Sequence, residues 1–171
     1  MNILEQFKYI RSVLTGFCLL VISHCAMAAD CFDMAGQDAG IDPDLLRAIA
    51  WQESRLHYDA IGKNPGTGYG MGLMQIDSQH LGNMKKRGID RELLVSDICT
   101  NIYSGALILA QAFNKWGTTW EAVGAYNAGF AVTPKQHFRR MVYARKIYIT
   151  YRKLKSSREI MNVSRDNDGG Y

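Results

Sequence analysis

The stretch NIYSGALILAQAFNKWGTTWEAVGAYNAG, residues 101 to 129, decides the fold class. Ile102, Ala106, Leu109, Phe113 and Trp116 recur at steps of 4, 3, 4 and 3, the apolar face of one long helix that Gly117 stops. Thr118 and Glu121 form a capping-box pattern that opens a second helix, and Gly129 can end it in the left-handed conformation. Working outward, Ala144, Ile147, Tyr151 and Leu154 carry the same period into a last helix. Toward the N-terminus, Asp42 and Pro43 open a helix with Leu46, Ile49, Ala50 and position 53 on one face. A shorter helix is expected over 78–86, ending at Gly88, and Asp90 caps another through Leu94. Strand-like alternation is almost absent. Only NPGTGYGMG, residues 64 to 72, reads as an extended loop, with four glycines and a proline. There is no internal repeat and no linker, so the expectation is one compact all-α domain. The stretch after Lys155 holds few large apolar residues, and residues 156–171 are expected to form a mobile tail.

The first 28 residues have a different character. Lys8 and Arg11 precede a short apolar run from Val13 to Ile22, and AMAAD follows, with Ala26 and Ala28 suited to signal-peptidase cleavage. The run is about half the roughly 20 apolar residues that a membrane span needs. Residues 1–28 therefore read as a cleaved signal peptide, and a periplasmic location follows. Lipidation at Cys25 is disfavoured by His24 before it. Cleavage leaves 143 residues, enough for one core.

The full chain has 20 basic and 16 acidic side chains, a net charge of +4; the mature part keeps +3. That surplus suits an anionic partner such as cell wall or lipid headgroups, and is equally ordinary for a globular protein. Cys31 and Cys99 remain after cleavage, an even pair in an oxidising compartment. Their disulfide would close a loop of 68 residues, worth about 4 kcal/mol in the chain-entropy picture. The mature histidines, His57, His80 and His137, have no recognised ligand spacing, so no metal is expected. No phosphate loop or nucleic-acid motif is present.

One residue breaks the apolar pattern. In AIAWQESR, residues 48 to 55, position 53 on the buried stripe is Glu53. A carboxyl that loses hydration titrates higher, and a glutamic acid still protonated near neutrality can protonate a glycosidic oxygen. On this stretch alone, a helix-end carboxylate paired with Arg55 or solvent is the more economical reading.

Three further stretches change that balance: GMGLMQID (70–77), CTNIYSGA (99–106) and AYNAG (125–129). With QES at 52–54 they resemble, in order, the four blocks of the soluble lytic transglycosylase catalytic domain, which is related in fold to goose-type lysozyme. The resemblance covers about residues 31–155, so the catalytic domain is placed at 29–155. The small size, the signal, the cysteine placement and WEAVGAYNAG are most similar to the specialised transglycosylases encoded with conjugation, pilus or type III secretion systems, the invasion-protein branch.

The resemblance implies a lysozyme-like helical domain without cofactor, acting as a monomer on peptidoglycan glycan strands, with components of such a secretion or pilus apparatus as partners. It implies that Glu53 is the catalytic acid and base. Met74 would offer the groove an apolar surface for a sugar ring, and Gln75 an amide. Tyr126 would hydrogen-bond the catalytic carboxyl, with Asn127 beside it in the groove. Asn101, Gly72 and Gly129 are assigned to structure. The family also dispenses with the second carboxylate that glycosidases ordinarily use. The N-acetyl group of muramic acid assists the leaving group, and the C6 hydroxyl then closes a 1,6-anhydro ring.

Some members of the branch carry an aspartate at the position of Gly70; Asp77 follows GLMQI where asparagine is common, and is expected to start a helix. A hydrolytic muramidase of the same fold and a wall-binding assembly factor are the alternatives. The second is disfavoured because a pure binder needs no acid on an apolar face.

Overall fold

The Cys31–Cys99 disulfide, with Cα atoms 5.2 Å apart, ties the first helix to the start of the 19-residue core helix Ile98–Trp116. A computed structural model describes residues 31–64 and 68–168, with side chains to 160. The expected signal peptide lies outside these residues.

Helix α1 spans 31–39. Helix α2, Pro43–Ser54, is capped by Asp42, whose carboxylate accepts from the Asp44 N–H at 2.9 Å. Its Leu46, Ile49 and Ala50 are fully buried. After a small sheet come α3 (Leu81–Lys85), α4 (Arg91–Ser96), α5 (Ile98–Trp116), α6 (Trp120–Ala128) and α7 (Pro134–Asp168). Aspartates cap α4 and α5: Asp90 accepts from Leu93 N–H and Asp97 from Thr100 N–H. The core is formed where α7 packs on α6 and α2, and α5 on α6. The expected α5 face is there: Ile102, Ala106 and Leu109 are buried. No helix among the described residues is long and apolar enough to cross a membrane.

Three details differ from the sequence expectation. The glycine-rich loop contributes the middle strand of a three-stranded antiparallel sheet, β1 (Ile61–Asn64), β2 (Gly68–Met71) and β3 (Ile76–Asp77), in the order β1-β2-β3. Ile61 pairs with Met71, Asn64 with Gly68, and Met71 with Ile76. Glycine spacing hid it, because these strands need glycine for a tertiary reason. The Gln75 side chain lies across their face, and a Cβ on Gly62 or Gly70 would come 2.3 or 2.6 Å from its Oε1.

The cap of α6 is Thr119, not Thr118; its hydroxyl accepts from Ala122 N–H, while Glu121 turns to Arg140 and His137 instead of back to the cap. Gly129 ends α6 with φ +75°, its N–H on the Ala125 carbonyl.

The tail expected to be mobile continues α7 as helix through Asp168. Residues 156–168 contain neither glycine nor proline, so nothing local breaks the helix. Moreover, Lys155 and Arg158 reach the acidic start of α2: Lys155 Nζ lies 3.2 Å from Asp42 and Arg158 Nε 3.2 Å from Asp44.

Asn101, 1 % exposed on α5, binds three backbone groups. Its Nδ2 donates to the carbonyls of Met71 (2.9 Å) and Leu94 (2.7 Å), and its Oδ1 accepts from Met74 N–H (2.7 Å). Gly72 sits in the same turn with φ +68°, and a Cβ there would come 2.3 Å from Asn101 Nδ2. Asn101→Ala would leave two buried carbonyls and one N–H unpaired, so a loss of about 3 kcal/mol or more in urea unfolding is expected. A loss below about 1 kcal/mol would show that water replaces the side chain.

Candidate active site

Glu53 sits in the last turn of α2, half-buried at the floor of a groove of about 830 Å³. One wall comes from the sheet and the turn after it, including Asn64, Gln75, Asp77 and His80. The end of α6 adds Tyr126, Asn127 and Gly129, and α7 forms the other wall with Tyr143 and Lys146 among others. Glu53 and Asp77 are the two carboxylates among the lining residues.

Burial raises the Glu53 carboxyl above the usual carboxylate range; a hydrogen bond from the Tyr143 hydroxyl and the nearby Lys146 ammonium offset part of that rise. The Tyr143 hydroxyl donates to Glu53 Oε1 at 2.5 Å. Burial and the Glu53 charge push the hydroxyls of Tyr143 and Tyr126 well above their ordinary values, so both remain donors. Such a carboxyl can hold a proton at the pH where an exposed glutamate has lost it. With one oxygen fixed by Tyr143, the group is aimed as well as biased toward its protonated form.

Asp77 is engaged elsewhere. It accepts from Asn64 Nδ2 at 2.7 Å and from Gln79 N–H at 2.9 Å, as the cap of the 3-10 turn Ser78–His80. His80, at the edge of the groove, is held below its ordinary range by burial, with Asp77 pulling the other way.

Several expected roles change. Tyr126 is close to Glu53, but its hydroxyl donates to the Met74 carbonyl at 2.8 Å; Tyr143 is the tyrosine on the carboxylate. Met74 offers no surface to the groove, because its side chain is fully buried and packs where Gly105 leaves room on α5. Gln75 does line the groove, yet its amide Nε2 donates to the carbonyls of Ala60 and Gly72, both at 2.9 Å. Its φ of +49° turns the side chain back over the sheet. Asn127 is exposed on the groove wall.

Sequence reading missed Tyr143 and Lys146. One signal was present: Tyr143 lies four residues before Ile147 on the buried face of α7, a polar-tipped residue on an apolar stripe, as Glu53 is on α2. What the sequence could not show was that these two exceptions, 90 residues apart, meet. Among the described residues no group of three or more His, Cys, Asp or Glu side chains could hold a metal ion.

Comparison with known proteins agrees with this geometry. The family described as "Transglycosylase SLT domain" matches residues 30–149. The chain is 57 % identical over 145 residues to the X polypeptide of Escherichia coli K12, covering 85 % of this chain and 86 % of that one. It is 46 % identical over 127 residues to invasion protein IagB of Salmonella typhimurium, covering 74 % and 78 %. Among solved structures, an inactive mutant of lytic transglycosylase Slt from Pseudomonas aeruginosa superposes with a TM-score of 0.53 at 23 % identity. That match covers 70 % of this chain and 22 % of the longer one, a likeness of fold. The half-buried, tyrosine-held glutamate lies within the matched segment, and the chain belongs to the transglycosylase SLT domain family.

Proposed function

We propose that Glu53 acts alone as acid and then base, cleaving the β-1,4 bond between N-acetylmuramic acid and N-acetylglucosamine with formation of a 1,6-anhydro end. The observation that carries this reading is the Tyr143–Glu53 pair in a groove whose other carboxylate, Asp77, is bound by Asn64 and Gln79. Glu53 gives its proton to the glycosidic oxygen, and the glucosamine 4-hydroxyl leaves. The N-acetyl oxygen of the muramyl residue closes on C1 as that bond breaks. The Glu53 carboxylate then takes the C6 hydroxyl proton, and O6 displaces the N-acetyl oxygen at C1. Glu53 ends protonated as it began, and no water is consumed. The hydroxyl is already tethered to the reacting sugar, an intramolecular advantage over water.

Gly70 supports the one-carboxylate route, because a side chain there would run into Gln75. We also place the mature enzyme in the periplasm after removal of residues 1–28, making local openings in the wall for a secretion, pilus or conjugation apparatus. The relatedness to an invasion protein supports that setting. Met74, buried in the core, takes no part in binding; Asn127 and the wall of α7 replace it.

The deciding experiment is the mass of muropeptides released from purified sacculi. Anhydro ends, one water lighter than hydrolysis products, are expected. Chiefly reducing ends would instead identify a hydrolytic muramidase.

Glu53→Gln should lower turnover by about 10²–10⁴-fold, since the amide cannot donate the proton. The same variant should be more stable than wild type at neutral pH. A carboxyl raised in the folded state favours folding only while protonated, so its contribution is lost as pH rises through the folded value. The variant's advantage in melting temperature should therefore shrink to nothing below the unfolded carboxyl range, near pH 4. An advantage independent of pH would mean that Glu53 ionises as easily folded as unfolded.

The two tyrosines are separable by pH. Tyr143→Phe removes a donor that favours the carboxylate, so the alkaline limb of kcat/KM should move to higher pH as turnover falls. Tyr126→Phe removes a bond to the Met74 carbonyl and should leave that limb in place. The opposite assignment would follow if only Tyr126→Phe moved it.

A further inference from the structure

Between Glu121 and Glu159 the chain has no acidic residue, yet it has nine lysines and arginines, all of them on α7. Three are bound to carboxylates within the protein: Arg140 to Glu121, Lys155 to Asp42 and Arg158 to Asp44. Arg145, Arg152 and Lys153 are exposed, and none has a carboxylate within ion-pair distance among the described residues.

Apolar side chains stand among these cations. Met141, Tyr148 and Ile149 are 41, 44 and 48 % exposed. From Met141, steps of 4, 3, 1, 3 and 1 place all six residues on one side of the helix, over about 18 Å of its length. None of the six lines the groove. The Tyr148 ring is held edge-on against Trp120, with centroids 5.0 Å apart, so it is fixed at the surface. The opposite side of the helix carries the buried Tyr143 and Ile147 and does the packing. The outer stripe therefore adds like-charge repulsion and wet apolar surface without serving the core.

We propose that this outer face of α7 docks on an anionic phospholipid surface, with Arg145, Arg152 and Lys153 at the headgroup phosphates and Met141, Tyr148 and Ile149 at the headgroup–acyl boundary. The inference does not depend on the reaction at Glu53. Cations interleaved with apolar and tyrosine side chains along one stripe are the chemistry of a helix that lies in a membrane interface. An acidic polypeptide answers the cations alone. A bilayer answers the cations and the apolar side chains together, along a straight convex edge that matches a plane. Lys146, on the groove wall, lies about 100° round the helix from Arg145. The groove thus opens beside the docked surface and stays accessible.

The test is cosedimentation of the exported protein with vesicles of phosphatidylcholine alone or of equimolar phosphatidylcholine and phosphatidylglycerol. Each cation near an anionic surface raises partition about fivefold, so three should favour the anionic vesicles by roughly a hundredfold. That preference should decline as salt is raised. The double variant Arg145→Glu, Arg152→Glu should bind the two vesicles alike while keeping the wild-type melting temperature. Met141→Ser with Ile149→Ser should weaken binding to the anionic vesicles severalfold and leave the salt dependence in place. Lys85→Glu with Lys86→Glu makes the same change of charge at exposed positions on α3 and should keep the wild-type preference. Equal binding of wild type to both vesicles would overturn the proposal, as would an equal loss in the α3 variant, which would reduce the effect to net charge. Binding to soluble polyglutamate but not to anionic vesicles, abolished by the α7 reversal, would assign the face to an acidic protein instead.

Discussion

The turn from Met71 to Met74 is the constraint on which the rest depends. A buried turn exposes no backbone group to water, so each must find a partner within the protein. Here side chains from four separate segments supply them. Asn101 takes the Met71 carbonyl and the Met74 N–H, Gln75 the Gly72 carbonyl, Ser54 the Leu73 carbonyl at 2.7 Å, and Tyr126 the Met74 carbonyl. Each of these side chains belongs to one of the blocks that carry the family resemblance. The blocks converge on a short piece of backbone more than on the sugar. Ser54 is the residue after Glu53, so gripping this turn also fixes the end of α2 and with it the acid.

That convergence explains which parts of the site were legible in the sequence. Glu53 stood out as a carboxylate on an apolar helical stripe, and the three further blocks turned that local anomaly into a catalytic acid. Asn101 and the cysteines could be read from context and spacing. The roles of Met74, Gln75 and Tyr126 could not, because a residue within a sugar-cleaving motif has no local mark that separates touching substrate from holding backbone. Tyr143 was invisible for a related reason: α7 carries tyrosines at 143, 148 and 151, and only the crossing of α7 over α2 selects the first.

The fold was legible to a similar depth. Helix faces and aspartate caps follow from local chemistry, and those at Asp42, Asp90 and the α5 stripe lie where periodicity placed them. The sheet did not declare itself because glycines at 62, 68, 70 and 72 erase side-chain alternation. Gly62 and Gly70 admit the close approach of Gln75, Gly68 that of Ser78, and Gly72 makes the turn, demands that arise only after the chain has folded. The one-residue shift of the α6 cap has a comparable origin: Glu121 is drawn away by Arg140 on another helix.

Helix α7 is about 52 Å long and is fastened at two places. Near its start, buried Arg140 is locked to Glu121, to two carbonyls after α6, and against the ring of Trp116. Further along, Tyr151, Lys155 and Arg158 are joined to Asp42 and Asp44. Tyr143 and Lys146 lie between these fixings, like marks on a beam clamped at both supports. A bend or pull applied to the helix beyond Arg158 is borne by the aspartate collar on α2 before it reaches the span that holds Tyr143 against Glu53. The reactive geometry is mechanically insulated from the distal end of the very helix that supplies it.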